Sequence, residues 1–132
     1  MAITFSVSGA PVPQPRPRVS TRGGFARAYV PSKHPVHEYR RRVAKAAEAA
    51  GLTNTGETVA VLIDAVFERP KSHKNRGGIK ATAPKLPRPD VDNIGKAVLD
   101  ALQDVMGDDS LVARLVVEKS YGTEARTTVR IQ

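Results

Sequence analysis

The chain has no cysteine and no tryptophan, and only three tyrosines and three phenylalanines. Without thiols, disulfides, thiolate catalysis and zinc–thiolate centres are excluded. With so few aromatics, base stacking along a single strand is a weak basis for function. Long apolar runs are also missing. The longest, Val59 to Ile63, falls far short of the roughly 20 residues that a bilayer span needs. No charged segment followed by an apolar one opens the chain, so no signal peptide is expected and a cytoplasmic location is. What remains is 132 residues with 40% hydrophobic content, enough for one domain around one core.

Acidic residues are scarce in the first two thirds of the chain. Residues 1–89 carry 16 Lys and Arg against 5 Asp and Glu, whereas residues 90–132 carry 5 against 8. The net charge of +8 therefore hides a basic body and an acidic centre. A basic body attracts a polyanion such as nucleic acid. Charge alone fits a binding protein without chemistry equally well.

Ile3–Ser8 alternates apolar and polar residues and predicts a strand. Pro11, Pro13, Pro15 and Pro17 then force an extended segment. It leads into a polar, Gly-containing loop, which sets Arg16, Arg18, Arg22 and Arg27 on exposed backbone. Pro35 suits the start of a helix and Gly51 its stop, with Tyr39, Val43, Ala46, Ala47 and Ala50 at helical spacing. Thr58–Phe67 is apolar on both parities except for Asp64, which predicts a central strand covered on both faces. Residues 69–88 read as a long loop or hairpin holding Lys71, Lys74, Arg76, Lys80, Lys85 and Arg88. Loops of that length in compact domains usually serve function, and residues 10–30 and 69–88 are expected to touch phosphates.

A second helix starts near Asp92 or Asn93, either able to cap it. Ile94, Ala97, Val98, Ala101, Leu102 and Val105 form its apolar stripe. Strands over Leu111–Tyr121 and Thr127–Ile131 follow. The expected fold is an α/β domain of the α+β type spanning 1–132, with a mixed sheet of about four strands packed by two main helices.

Asp90, Asp92, Asp100, Asp104, Asp108 and Asp109 fall within twenty residues. Crowded carboxylates raise one another's pKa and cost stability unless a cation holds them. Oxygen-only donors suit Mg²⁺ or Mn²⁺. Asp90 and Asp92, two apart in extended backbone, point the same way and can reach one cation. Asp108 and Asp109 join them only if the connector after the helix reverses suitably. Lys96 follows Asp92 by four residues and Asp100 follows Lys96 by four. That stripe is either an ordinary run of surface pairs or places an ammonium beside a transferring phosphate.

Pro89-Asp90-Val91-Asp92-Asn93-Ile94-Gly95-Lys96-Ala97-Val98-Leu99-Asp100-Ala101-Leu102, followed by Gly107-Asp108-Asp109, resembles the signature of the RusA family of Holliday junction resolvases, often carried by phages and prophages. Pro13-Gln14-Pro15-Arg16-Pro17-Arg18 is similar to the Pro/Arg segment that follows the first strand in many members. The resemblance implies a homodimeric endodeoxyribonuclease that needs Mg²⁺, with Mn²⁺ as a substitute, and acts on branched DNA. It maps the catalytic aspartates onto Asp90, Asp92 and Asp109 and the lysine onto Lys96. Asp108 is commonly acidic in relatives, so the choice between Asp108 and Asp109 as metal ligand stays open, because the connector Gln103–Gly107 looks shorter than in some members.

Two rivals share these residues: another Mg²⁺-dependent nuclease acting on branched or single-stranded DNA, and a non-enzymatic DNA-binding protein with a structural acidic cluster. His34 and His37 invite a metal reading, but only Glu38 supports it, and solvated or DNA-contacting histidines are expected. Asp64 would pair with a buried cation or line the site. The candidate dimer surfaces are the strand edge near Leu111–Val117 and the first helix.

Overall fold

The computed structural model describes residues 2–132. Four strands make the main sheet, in the order β1 (Ile3–Ser8), β8 (Arg126–Ile131), β4 (Val59–Glu68), β7 (Val112–Gly122). β8 runs antiparallel to both β1 and β4, and β7 runs parallel to β4. The chain between β4 and β7 includes α2 (Val91–Met106), the crossover helix a parallel pair requires. The sheet is mixed and the fold is α+β, as expected.

Both helices lie on one face of the sheet. α1 (Pro35–Ala49) buries Val36, Tyr39, Val43 and Ala47. α2 buries Ile94, Ala97, Val98, Ala101, Leu102 and Met106. They meet Ile3, Phe5 and Val7 of β1, Val61, Ile63 and Ala65 of β4, and Val129 and Ile131 of β8 in a single core. These strand residues occupy one parity and so one face. Thr127 is the one buried polar side chain among the described residues, and its hydroxyl bonds the Tyr39 hydroxyl. Burial pushes the Tyr39 phenol above its usual range, although the bond to Thr127 and the charge of Arg42 pull it down.

The other sheet face has no cover. Leu62, Asp64, Val116, Glu118, Thr128 and Arg130 line it. β4 is therefore central but buried along its length on one side only, with Val66 alone buried on the other, because there is one helical layer rather than two. Asp64 neither pairs with a buried cation nor approaches the α2 side: it is half-buried on this open face and forms no ion pair among the described residues.

The 10–30 segment, expected as a loop, contains a small hairpin, and the 69–88 segment, expected as a loop or hairpin, contains another. β2 (Arg18–Ser20) pairs with β3 (Arg27–Tyr29), and β5 (Lys74–Asn75) with β6 (Gly78–Ile79). α1 begins where Pro35 predicts, and His34 caps it, its Nδ1 accepting from the Val36 N–H at 3.1 Å. The His37 ring lies 3.0 Å from the Pro31 carbonyl. Both histidines are thus tied to local backbone. Gly51, at φ +101°, ends the helix in a conformation few other residues tolerate.

Candidate active site

The cap of α2 lies two or three residues earlier than Asp92 or Asn93, the expected caps. Asp90 is the N-cap, with extended backbone (φ −71°, ψ 141°), but its side chain makes no capping bond. Asp92 stands in the first helical turn. Both are exposed, and neither carboxylate has a hydrogen bond or ion pair within the described residues. Two unengaged acids at the positive end of a helix macrodipole are favoured as anions. They remain free to bind something else.

Several pins hold this helix end. Lys119 of β7 donates from Nζ to the Pro89 carbonyl at 2.9 Å. The Gln14 N–H donates to the Asn93 carbonyl at 2.9 Å, which lays the proline segment against the start of α2. Arg16 and Arg18 project, exposed, just beyond that bond. The Gln14 Oε1 is buried without a hydrogen-bond partner. Gly95 allows α2 to sit close on β7: a Cβ there would lie 3.0 Å from Val117 Cγ2 and 3.3 Å from Leu115 Cδ2.

Lys96 turns away from Asp92. Its Nζ lies 3.6 Å from Asp100 Oδ1, on a side chain that is 62% exposed. So loose and exposed a pair contributes a few tenths of a kcal/mol and leaves the ammonium able to swing to a phosphate. Asp104 is exposed on the same helix.

The far end of α2 is built differently. Gly107 closes the helix and Asp108 caps a single 3-10 turn, its Oδ1 accepting from the Ser110 N–H at 2.8 Å. That bond holds the Asp108 carboxyl below the usual carboxylate range. Asp109 is exposed, and its side chain has no ion pair among the described residues. By the rise of about 1.5 Å per residue, the 16 residues of α2 separate Asp108 and Asp109 from Asp92 by roughly 24 Å. The reversal needed to bring all four aspartates together does not occur within one chain. Among the described residues, no three His, Asp or Glu side chains stand close enough to hold a metal ion.

The predicted basic residues are all exposed. Arg22 and Arg27 are exposed on the β2–β3 hairpin, and Lys71, Lys74, Arg76, Lys80 and Arg88 on the 69–88 segment. That segment is anchored rather than loose. The Arg69 guanidinium lies 4.3 Å over the Tyr121 ring and donates to the Pro84 carbonyl at 3.0 Å. His73 meets Tyr121 edge-on at 5.6 Å. Nothing in the sequence marks Lys119 or Gln14 as part of this end. Their partners lie 30 and 79 residues away, and no local pattern signals such bonds.

Free carboxylates opening a helix, on a small α+β scaffold rich in exposed cations, suit phosphate chemistry. Comparison with known proteins is specific. Residues 8–132 match the family model described as Endodeoxyribonuclease RusA, and the chain belongs to that family. It is also similar to the uncharacterized protein YqaN of Bacillus subtilis (strain 168), at 36% identity over 138 residues, covering 98% of this chain and 95% of that protein. No helix of the described residues is long and apolar enough to cross a membrane.

Proposed function

We propose that the protein is a Mg²⁺-dependent endodeoxyribonuclease that resolves four-way DNA junctions by paired, symmetric nicks, with Mn²⁺ able to replace Mg²⁺. The observation that carries this reading is the pair of unengaged carboxylates, Asp90 and Asp92, at the start of α2 in a chain of this family. Their oxygen-only chemistry fits a hard divalent ion, although one chain offers two such groups at that place rather than three. A bound ion would neutralise phosphate charge and make water a stronger nucleophile.

Asp90 and Asp92 would bind that ion, and Asp109, free where Asp108 is engaged in its own turn, would complete the set. Lys96, held only by a loose pair, would stabilise charge on the phosphate under attack. In the reaction, the oxygen of water bonds to phosphorus and the bond to the 3′ oxygen breaks. The proton ends on that oxygen, leaving a 3′-hydroxyl and a 5′-phosphate. Arg16, Arg18, Arg22, Arg27, Lys71, Lys74, Arg76, Lys80 and Arg88 would grip phosphates along the arms, positioning the substrate without reading its bases. A four-way junction has two-fold symmetry, so a homodimer would present one site to each of two opposed strands. The setting would be recombination and repair in the cytoplasm.

The test offers the protein a synthetic four-way junction, a flap and a linear duplex, with Mg²⁺ and with EDTA. Paired nicks confined to the junction and dependent on metal are expected. Preferential cutting of flaps would point to another branched-DNA nuclease. Tight binding with no cutting in Mg²⁺ or Mn²⁺ would overturn the enzymatic reading.

A further inference from the structure

We infer that Phe25, at the tip of the β2–β3 hairpin, enters the base stack of bound DNA at the branch point, and that this wedge lets the protein tell branched from linear DNA. The inference deepens the nuclease reading by naming how the substrate is chosen, and it rests on that reading only for DNA as the partner. The starting observation is exposure. Phe25 is 72% exposed, more than any other large hydrophobic residue among those described, and Tyr29 on the same hairpin is 45% exposed.

The tip stands clear of the rest of the chain. Beyond sequence neighbours, nothing lies within 4 Å of where a Cβ would stand on Gly23 or Gly24, the two residues before Phe25. The turn is nevertheless shaped by its own bonds. The Gly24 N–H donates to the Thr21 carbonyl at 3.1 Å, and the Arg22 N–H to the Ser20 hydroxyl at 3.3 Å. A tip ordered in this way loses little freedom on binding. Arg22 and Arg27 flank Phe25, and Arg18 lies across the hairpin from Tyr29. No acidic residue precedes Glu38 in the sequence. A partner for this surface must be anionic and must offer a flat apolar face at the same place. DNA offers both, with phosphates outside and base faces within. An apolar groove on a protein would leave the arginines without partners.

The hairpin is rooted near the acidic start of α2. The Gln14 N–H holds the Asn93 carbonyl at 2.9 Å, and the four residues from Gln14 to Arg18 span at most about 14 Å. DNA with a phosphate at Asp90 and Asp92 therefore comes within reach of the hairpin. Apolar side chains that enter between base steps unstack them and kink the duplex. In continuous duplex, entry has to break a stacked step. At a branch point the strands change partners and the stack is already interrupted, so entry costs less. That difference favours the junction. Phosphate contacts position either substrate but carry no such preference, because both have the same backbone.

The test uses a four-way junction with 2-aminopurine beside the branch point, a base whose fluorescence rises when it unstacks, in EDTA so that no strand is cut. Anisotropy of a label on a distal arm reports binding separately. Wild type at saturation should raise the 2-aminopurine signal several-fold. Phe25→Ala should still saturate the junction but lose the rise, and its preference for junction over linear duplex should fall about tenfold. Phe25→Leu, still an apolar wedge, should keep both. Val19→Ala, at a position 69% exposed on the same hairpin but away from the tip, should change neither. Bound wild type with no rise, or Phe25→Ala with the full rise, would overturn the wedge. A wild type that unstacks the junction yet never nicks it with Mg²⁺ would keep the wedge and sink the nuclease reading. Nicking without unstacking would do the reverse.

Discussion

The two ends of α2 are both acidic, yet they are built in opposite ways. At the N-terminal end the helix field favours anions, and Asp90 and Asp92 are left without partners. Pins from distant parts of the chain, Gln14 and Lys119, fix the backbone around them. At the C-terminal end the field disfavours anions, and Asp108 is satisfied locally by the Ser110 N–H. The first end resembles a site kept open for a cation. The second is a helix stop, with one acid, Asp109, to spare. Acidic residues close in sequence need not form one cluster; what matters is which carboxylates the local backbone already uses.

The sharpest way to break this contrast is to treat the two neighbours alike. Asp109→Asn should slow junction nicking by on the order of a hundredfold, since removing a metal ligand takes away several kcal/mol of charge stabilisation. Asp108→Asn should cost far less, because asparagine still accepts the Ser110 N–H as a cap. Nicking rates of the two variants with Mg²⁺ check this, and a larger drop for Asp108→Asn would reverse their roles.

A smaller effect is expected from the arginines beside the Asp90 end. Replacing Arg16 and Arg18 by Ala should weaken junction binding about tenfold at moderate salt. It should also flatten the salt dependence by about 0.9 for each phosphate no longer neutralised. Binding titrations across a salt series report both. An unchanged slope would show that these side chains do not meet phosphate.

Gly95→Ala probes how closely α2 must sit on β7. Alanine gains about 1 kcal/mol of helix propensity. Its Cβ would crowd Val117 and Leu115, and overpacking costs roughly 1–3 kcal/mol. Crowding should win by about 1 kcal/mol, seen as a lower denaturant midpoint, with slower nicking as the helix start shifts. The smallest change tests a histidine. His34→Ala removes the α1 cap and should cost about 1 kcal/mol of stability, while leaving nicking and its metal dependence intact. Nicking that is lost, or that needs far more Mg²⁺, in a variant that still folds would make His34 a ligand after all.

Much of this architecture is legible from periodicity. The α2 stripe, the β1 alternation and the Pro35 and Gly51 boundaries all predict what is seen. The cap of α2 is not, because Asp90, Asp92 and Asn93 are equally good capping residues, and only backbone geometry separates them. β4 reads as doubly covered because Leu62 and Val66 are apolar, but composition does not report how many helical layers exist. The hairpins β2–β3 and β5–β6 have strands of two or three residues, too short for alternation to register. In the candidate site, the acids and Lys96 stand out by type and spacing. The pins from Gln14 and Lys119 do not, since they depend on which segments the fold brings together.

The most direct test of the central claim sets wild type beside Asp92→Asn, measuring binding and nicking of the same four-way junction with Mg²⁺. If Asp92 holds the metal, the variant binds the junction within a few-fold of wild type and its nicking falls by on the order of a thousandfold. A variant that nicks as fast as wild type would contradict the assignment of the active site to this end of α2.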